Sequence, residues 1–281
     1  MKKKLILTAV ALVAIAVTSY EVYQHWLFVE TDNAQIEAHS VLLSAKIQGF
    51  IKDVPVAEGQ RVKKNQVLVQ IDPRDYESSL DGAKSELLSL EARKQDAEKN
   101  YHRIKDLFKK NVLPQQQYDT ALASHNEVRA RYDATNARLT QAKLNVEYTQ
   151  IKAPSDGIIA KTSAEVGQLA SPGVPLVGFV SSESRWVVAN FKETEVEQVK
   201  IGGKVDLEID ALSHQKFTGE VENIYPATGS TFTLLPPDNA TGNFTKVVQR
   251  VPVKIKIINL KAEDIEKLQS GLSVVAKVRV H

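Results

Sequence analysis

The chain has 281 residues, 43% hydrophobic and 25% charged, enough for two or three small domains. Its 36 Lys and Arg against 34 Asp and Glu leave a net charge of +2, which argues against nucleic acid as the main partner. Without cysteine it has no disulfides, no thiolate metal sites and no N-terminal Cys to carry a lipid.

Residues 1–28 open with Met1-Lys2-Lys3-Lys4 and continue through a run, 5–19, that no charge interrupts. That run is somewhat shorter than the ~20 apolar residues of a spanning helix, so an uncleaved anchor and a cleaved signal peptide both suit it. Tyr20, Tyr23 and Trp26 form an aromatic belt and favour the anchor. The N-terminus would then be cytoplasmic and the bulk of the chain would lie across the inner membrane, in the periplasm of a two-membrane bacterium. Residues 29–42 are polar and extended in character, a linker or strand; the resemblance to a known family set out below implies that they belong to a membrane-proximal β-barrel.

Residues 43–72 and 151–180 align without a gap at a constant offset of 108. Ala45, Gly49 and Ile51 fall on Ala153, Gly157 and Ile159, and Gly59-Gln60 and Leu68-Val69 fall on Gly167-Gln168 and Leu176-Val177. Each copy holds short β-branched runs separated by turn glycines, and one copy alone cannot bury its apolar face. Two copies packed about a pseudo-two-fold axis predict a small flattened barrel from 43–72 and 151–182.

Residues 73–150 separate the two halves and follow another period. Tyr76, Leu80, Ala83, Leu87, Leu90, Lys94, Ala97, Tyr101, Ile104 and Phe108 trace a heptad seam broken only by Lys94. After Asn111-Val112-Leu113-Pro114 a second seam runs through Tyr118, Ala121, His125, Val128, Tyr132, Thr135, Leu139, Ala142 and Val146. The two stripes predict an antiparallel coiled-coil α-hairpin whose arms, about 35 residues each, reach ~50 Å. Asp72 or Asp75 is the predicted cap of the first helix. His102 and His125 read as solvated or seam residues, because no carboxylate cluster completes a ligand set.

Residues 183–281 carry alternating apolar runs at 185–191, 204–209, 217–224, 247–258 and 272–280, an antiparallel β-barrel domain. Short helices are predicted at 192–199 and 262–268. A loop rich in Gly, Pro, Asn and Thr spans 226–245 and exposes an apolar point at Leu234-Leu235-Pro236. No nucleophile pairs with a base, no glycine loop fits a phosphate and no carboxylates pair for catalysis, so the chain reads as a non-enzyme without cofactor or metal. The predicted fold class is mixed α and β: an N-terminal transmembrane helix, a split biotinyl/lipoyl-like β domain, a coiled-coil hairpin and an antiparallel barrel.

The split β-unit, with Ala45-x3-Gly49, Ala153-Pro154-x2-Gly157, Gly59-x2-Val62, Gly167-Gln168 and Ile71-Asp72-Pro73, resembles membrane fusion proteins, or periplasmic adaptors, of the HlyD type. A carrier domain of this kind joins its halves in a turn whose Lys holds a cofactor; residues 73–150 stand there instead. The segments Asn190-Phe191-Lys192-Glu193-Thr194, 229–237, Asn239-Ala240-Thr241-Gly242-Asn243-Phe244 and 246–253 are similar to the EmrA-type subgroup, and the resemblance covers essentially the whole chain. It implies an adaptor that links an inner-membrane major facilitator exporter of drugs or small molecules to a TolC-like outer-membrane channel. It also implies self-assembly as a trimer or hexamer. An adaptor of a type I, ABC-driven secretion system is the alternative. Channel docking falls on Arg103, Leu107, Lys110, Val112 and Pro114 at the hairpin tip. Contact with the transporter or a neighbouring protomer falls on Asn190, Lys192, Glu193, Phe232, Leu234, Leu235, Asn239, Gly242 and Asn243.

Overall fold

The computed structural model describes residues 27–212, 214–228, 248–258, 260 and 262–280. The predicted anchor lies outside the described residues except for its last two positions. Among the described residues no helix is long and apolar enough to cross a membrane. The chain divides into two units, Ser40–Val180, and Met1–His39 with Ser181–His281. The first described strand, β1 (Phe28–Glu37), belongs to the second of these.

In the unit Ser40–Val180 the repeat becomes two matching sheets. The first copy supplies β2 (Ser40–Ser44), β3 (Gly49–Asp53), β4 (Arg61–Val62) and β5 (Val67–Ile71). The second supplies β6 (Gln150–Lys152), β7 (Gly157–Thr162), β8 (Leu169–Ala170) and β9 (Pro175–Ser181). They pair in the orders β2-β9-β7-β4 and β6-β5-β3-β8, so the sequence offset turns each sheet into the other and each draws two strands from either copy. The tie is reciprocal: Gly59 N–H donates to the Ile159 carbonyl at 2.7 Å, and Gly167 N–H donates to the Ile51 carbonyl at 2.8 Å. Both glycines sit in the left-handed region, at φ +76° and +88°, where a Cβ is penalised. Ile51, Leu68, Ile71, Ile159, Leu176 and Phe179 fill the shared core, each worth ~1.5–3 kcal/mol on burial.

Between β5 and β6 stand α1 (Arg74–Lys109) and α2 (Gln115–Tyr148). All the α1 seam positions are half-buried, and Ala121, Thr135, Leu139 and Ala142 of α2 are buried. Lys94 fits the seam because its Nζ lies 4.1 Å from the centre of the Tyr132 ring. The hairpin base is fastened to the sandwich by the Tyr76 hydroxyl, which donates to the Gln48 carbonyl at 2.6 Å, and by Gln70 Nε2, which donates to Thr149 Oγ1 at 3.2 Å. The expected aspartate cap does not form. Pro73 occupies the capping position, and Asp72 instead accepts the Arg74 N–H at 3.2 Å while gripping its guanidinium. These bonds hold the Asp72 carboxyl at about 2.

In the other unit β1 is joined by β10 (Trp186–Lys192), β11 (Lys204–Ile209), β12 (Lys216–Ile224), β13 (Arg250–Ile258) and β14 (Ser273–Arg279) in a closed barrel, β1-β10-β13-β12-β11-β14. Every second residue points inward, giving a core of Ile36, Val187, Phe191, Leu207, Ile255 and Ala276 among others. A short helix, α3 (Ala262–Lys267), precedes β14. The helix expected at 192–199 is absent: β10 keeps its pairing through Lys192 opposite Arg250, and Glu193 N–H donates to the Gln249 carbonyl at 2.9 Å. Only a 3-10 turn, Val196–Gln198, remains, because the ladder leaves too few residues to nucleate a helix.

Candidate functional site

The hairpin tip is closed by local backbone bonds. After Lys109 the chain reverses through Asn111, whose φ of +56° is the left-handed value that Asn tolerates better than most residues. Val112 N–H donates to the Leu107 carbonyl at 3.0 Å and Asn111 N–H to the Phe108 carbonyl at 2.9 Å, the paired bonds of a Schellman cap. Pro114 then caps α2 with ψ 153°, which starts the returning arm cleanly.

Below the reversal the two arms meet through rings. Phe108 stacks on Tyr118 and Tyr101 on His125, each with centroids 5.0 Å apart and planes 18° from parallel. The Tyr101 and Tyr118 hydroxyls lie 3.3 Å apart. That hydrogen bond, with Lys105 and Lys109 nearby, lowers the Tyr101 phenol below its ordinary value, and the same bond together with burial raises that of Tyr118.

Of the five predicted tip residues, Leu107, Lys110 and Val112 are joined through the cap, where Lys110 and Val112 N–H both donate to the Leu107 carbonyl, and Pro114 starts the returning arm, while Arg103 stands one turn below Leu107. Arg103 and Leu107 are one turn apart on one helix face. Arg103 is exposed, with Nη2 donating to Asn100 Oδ1 at 2.8 Å, and Leu107 is half-buried. Lys110 and Pro114 are exposed, and Val112 is 62% exposed. An exposed apolar point at Val112, with the exposed cations Lys109 and Lys110 just before it in the chain, suits non-covalent docking to an apolar surface with carboxylates around it. Among the described residues no group of three His, Cys, Asp or Glu could hold a metal ion.

The barrel candidates fall into two sets. Asn190 Nδ2 donates to Asn33 Oδ1 at 3.1 Å, and its carbonyl accepts Thr31 Oγ1 at 2.9 Å and Arg250 Nη1 at 3.3 Å. It therefore tethers the bulge of β1 between Thr31 and Ala34, a structural duty that sequence alone did not suggest. Lys192 and Glu193 are exposed, and Lys192 Nζ pairs with Glu195 Oε1 at 3.1 Å. Phe232, Leu234, Leu235, Asn239, Gly242 and Asn243 lie outside the described residues.

Two domain families match the chain: the RND MFP, barrel-sandwich hybrid domain over residues 39–180 and the CusB-like, beta-barrel domain over residues 184–233. The chain belongs to the membrane fusion protein family. This membrane fusion protein is 32% identical to the colistin resistance protein EmrA of Acinetobacter baumannii, over 92% of its own length and 89% of that protein's. It is 30% identical to the multidrug export protein EmrA of Escherichia coli (strain K12), over 95% and 80%. Its fold is similar to the membrane fusion protein Spr0693 from Streptococcus pneumoniae R6, with a TM-score of 0.66 at 15% identity over 91% of this chain and 99% of that one. The two sequence alignments run over 315 and 313 positions, more than the 281 residues here, so both relatives carry segments that this membrane fusion protein lacks.

What the sequence did not disclose about the tip is the ring stack. Tyr101, Phe108, Tyr118 and His125 all stand on the predicted seams, and the signal was their clustering within about three turns of the reversal. Seam membership alone did not say which ring faces which, because that depends on the register between arms.

Proposed function

We propose that this membrane fusion protein is the adaptor subunit of a multidrug or small-molecule efflux system, anchored in the inner membrane with its bulk in the periplasm. It joins a major facilitator exporter to a TolC-like outer-membrane channel and works in several copies. The observation that carries this reading is the hairpin: a carrier-like β-unit whose connecting turn is replaced by two helices of 36 and 34 residues, a stiff reach of ~50 Å. The names of the relatives, which speak of colistin resistance and multidrug export, support drugs as the exported class. Docking to the channel is assigned to Arg103, Leu107, Lys110, Val112 and Pro114. The barrel residues Asn190, Lys192 and Glu193, with the 232–243 loop residues, are assigned to contact with the exporter or a neighbouring protomer.

The test is affinity purification of the full-length chain from membranes, together with drug susceptibility of a strain lacking it. Copurification of a major facilitator exporter, and sensitivity reversed by restoring the chain, is the expected result. Copurification of an ABC exporter with unchanged drug susceptibility would replace the reading with type I secretion.

A further inference from the structure

Midway along the hairpin, one face of the seam between α1 and α2 opens into a cavity of ≈ 420 Å³. Its charged lining is one carboxylate, Glu86, and three guanidiniums, those of Arg93, Arg131 and Arg138. The register between the arms decides how these meet. Glu86 faces Arg138 at 3.9 Å and Lys94 Nζ lies over the Tyr132 ring, so Arg93, seven residues beyond Glu86, comes level with Arg131, seven residues before Arg138. Seven residues are two turns, ~10 Å of rise, which keeps both arginines on the cavity's face. One level sets an acid against a base. The next sets two cations opposite each other.

Arg131 is partly relieved by Glu127, one turn away at 2.7 Å, whereas Arg93 makes no ion pair among the described residues. A second observation points into the same space. Thr135 lines the cavity and is only 4% exposed, yet its hydroxyl makes no hydrogen bond among the described residues. The other two threonines of α2, Thr120 and Thr140, both donate to the carbonyl four residues back, at 2.8 and 3.0 Å. A buried hydroxyl without a partner is costly unless something else supplies one.

We propose that this cavity binds a small organic oxyanion, a phosphate monoester or a carboxylate. Its head sits among Arg93, Arg131 and the Thr135 hydroxyl, and its apolar body lies against Leu90 and Ala134, which also line the cavity. A guanidinium presents paired N–H groups that match two oxygens of such a head, and the Thr135 hydroxyl gains its missing acceptor. A cationic ligand would add a third charge of the same sign to the level of Arg93 and Arg131. Arg138 already has Glu86, so one anionic group suffices. The site is separate from the tip and the barrel, and it stands whether or not the adaptor reading does.

The test titrates phenyl phosphate into the purified full-length chain in neutral detergent, followed by the phosphorus resonance and by the thermal midpoint of the helical signal. Saturable binding with a raised midpoint is expected. Arg93→Gln and Arg131→Gln should each weaken it about tenfold, and Thr135→Val, which keeps the shape, roughly threefold. Arg129→Gln removes an exposed cation that does not line the cavity and should leave affinity unchanged. Circular dichroism matching the parent protein shows that each variant is folded. Absence of saturation, parental affinity in Thr135→Val, or an equal loss in Arg129→Gln and Arg93→Gln overturns the proposal, the last by showing diffuse attraction to a charged rod. Inorganic phosphate binding as tightly as phenyl phosphate overturns the organic ligand. Binding of phosphatidic acid in the same detergent, with none of phenyl phosphate, overturns the small molecule in favour of a lipid.

Discussion

Lys94 breaks an apolar seam, and Tyr132 on the opposite arm is the reason it can: the ammonium sits 4.1 Å from the ring centre. Such a contact is worth ~0.5–1 kcal/mol at exposed sites. Lys94→Ala and Tyr132→Ala are each expected to lower the thermal midpoint of the helical signal, and the double variant to lose less than the sum of the two. Strictly additive losses would show that the cation and the ring do not interact.

The tip should depend on the backbone of Asn111 more than on its side chain. Asn111→Gly keeps the left-handed turn and is expected to leave stability within about 0.5 kcal/mol, whereas Asn111→Val forces a β-branched residue to +56° and costs ~1–2 kcal/mol. Hydrogen exchange at the Asn111 and Val112 amides reports the change locally. Equal protection in all three proteins would mean that the cap is not held by these bonds.

Docking through the tip predicts a functional loss without a folding loss. Arg103→Glu combined with Leu107→Ala removes a cation and an apolar contact from one face of the last turns of α1. Drug resistance is expected to fall to the level of a strain lacking the chain, with expression and membrane association unchanged. Full resistance in the double variant would move channel contact elsewhere.

In the barrel unit, Arg185 is buried, and among the described residues its partners are carbonyls and no carboxylate. Its guanidinium donates to the carbonyls of Leu268 at 2.8 Å, Ser181 at 2.5 Å and Ser184 at 2.9 Å, and burial lowers its pKa from the ordinary value. Arg185→Met leaves these carbonyls without their donor, at ~1–3 kcal/mol for each that stays dry. A loss of about 3 kcal/mol is expected by denaturant unfolding, and Arg185→Lys should recover only part of it because the ammonium lacks the fork geometry. Wild-type stability in Arg185→Met would show that water replaces the guanidinium at no cost.

The repeat and the seams were legible because both are periodic. A fixed offset between Gly59 and Gly167, and heptad spacing from Tyr76 to Phe108, are one-dimensional signals that survive without any knowledge of partners. The closed order of the barrel was not legible, since β1 pairs with β10 across the whole β-unit and hairpin between them and with β14 at the other end of the chain. Residues 192–199 misled for the same reason: their local pattern suits a helix, and the ladder opposite Arg250 overrides it. At the tip, Arg103 and Leu107 were visible as a spacing, whereas the Tyr101 and His125 stack had to wait for the register.

The interleaving of the two sheets has a consequence for how the molecule is made. Neither sheet can hold its full set of strands until the second copy has left the ribosome, through β8 at residue 170 for one sheet and through β9 at residue 181 for the other. The first copy of the repeat therefore waits, half-paired, through the synthesis of the whole hairpin. The order of events is set by topology, with the local helices able to close early and the distant strands obliged to close late.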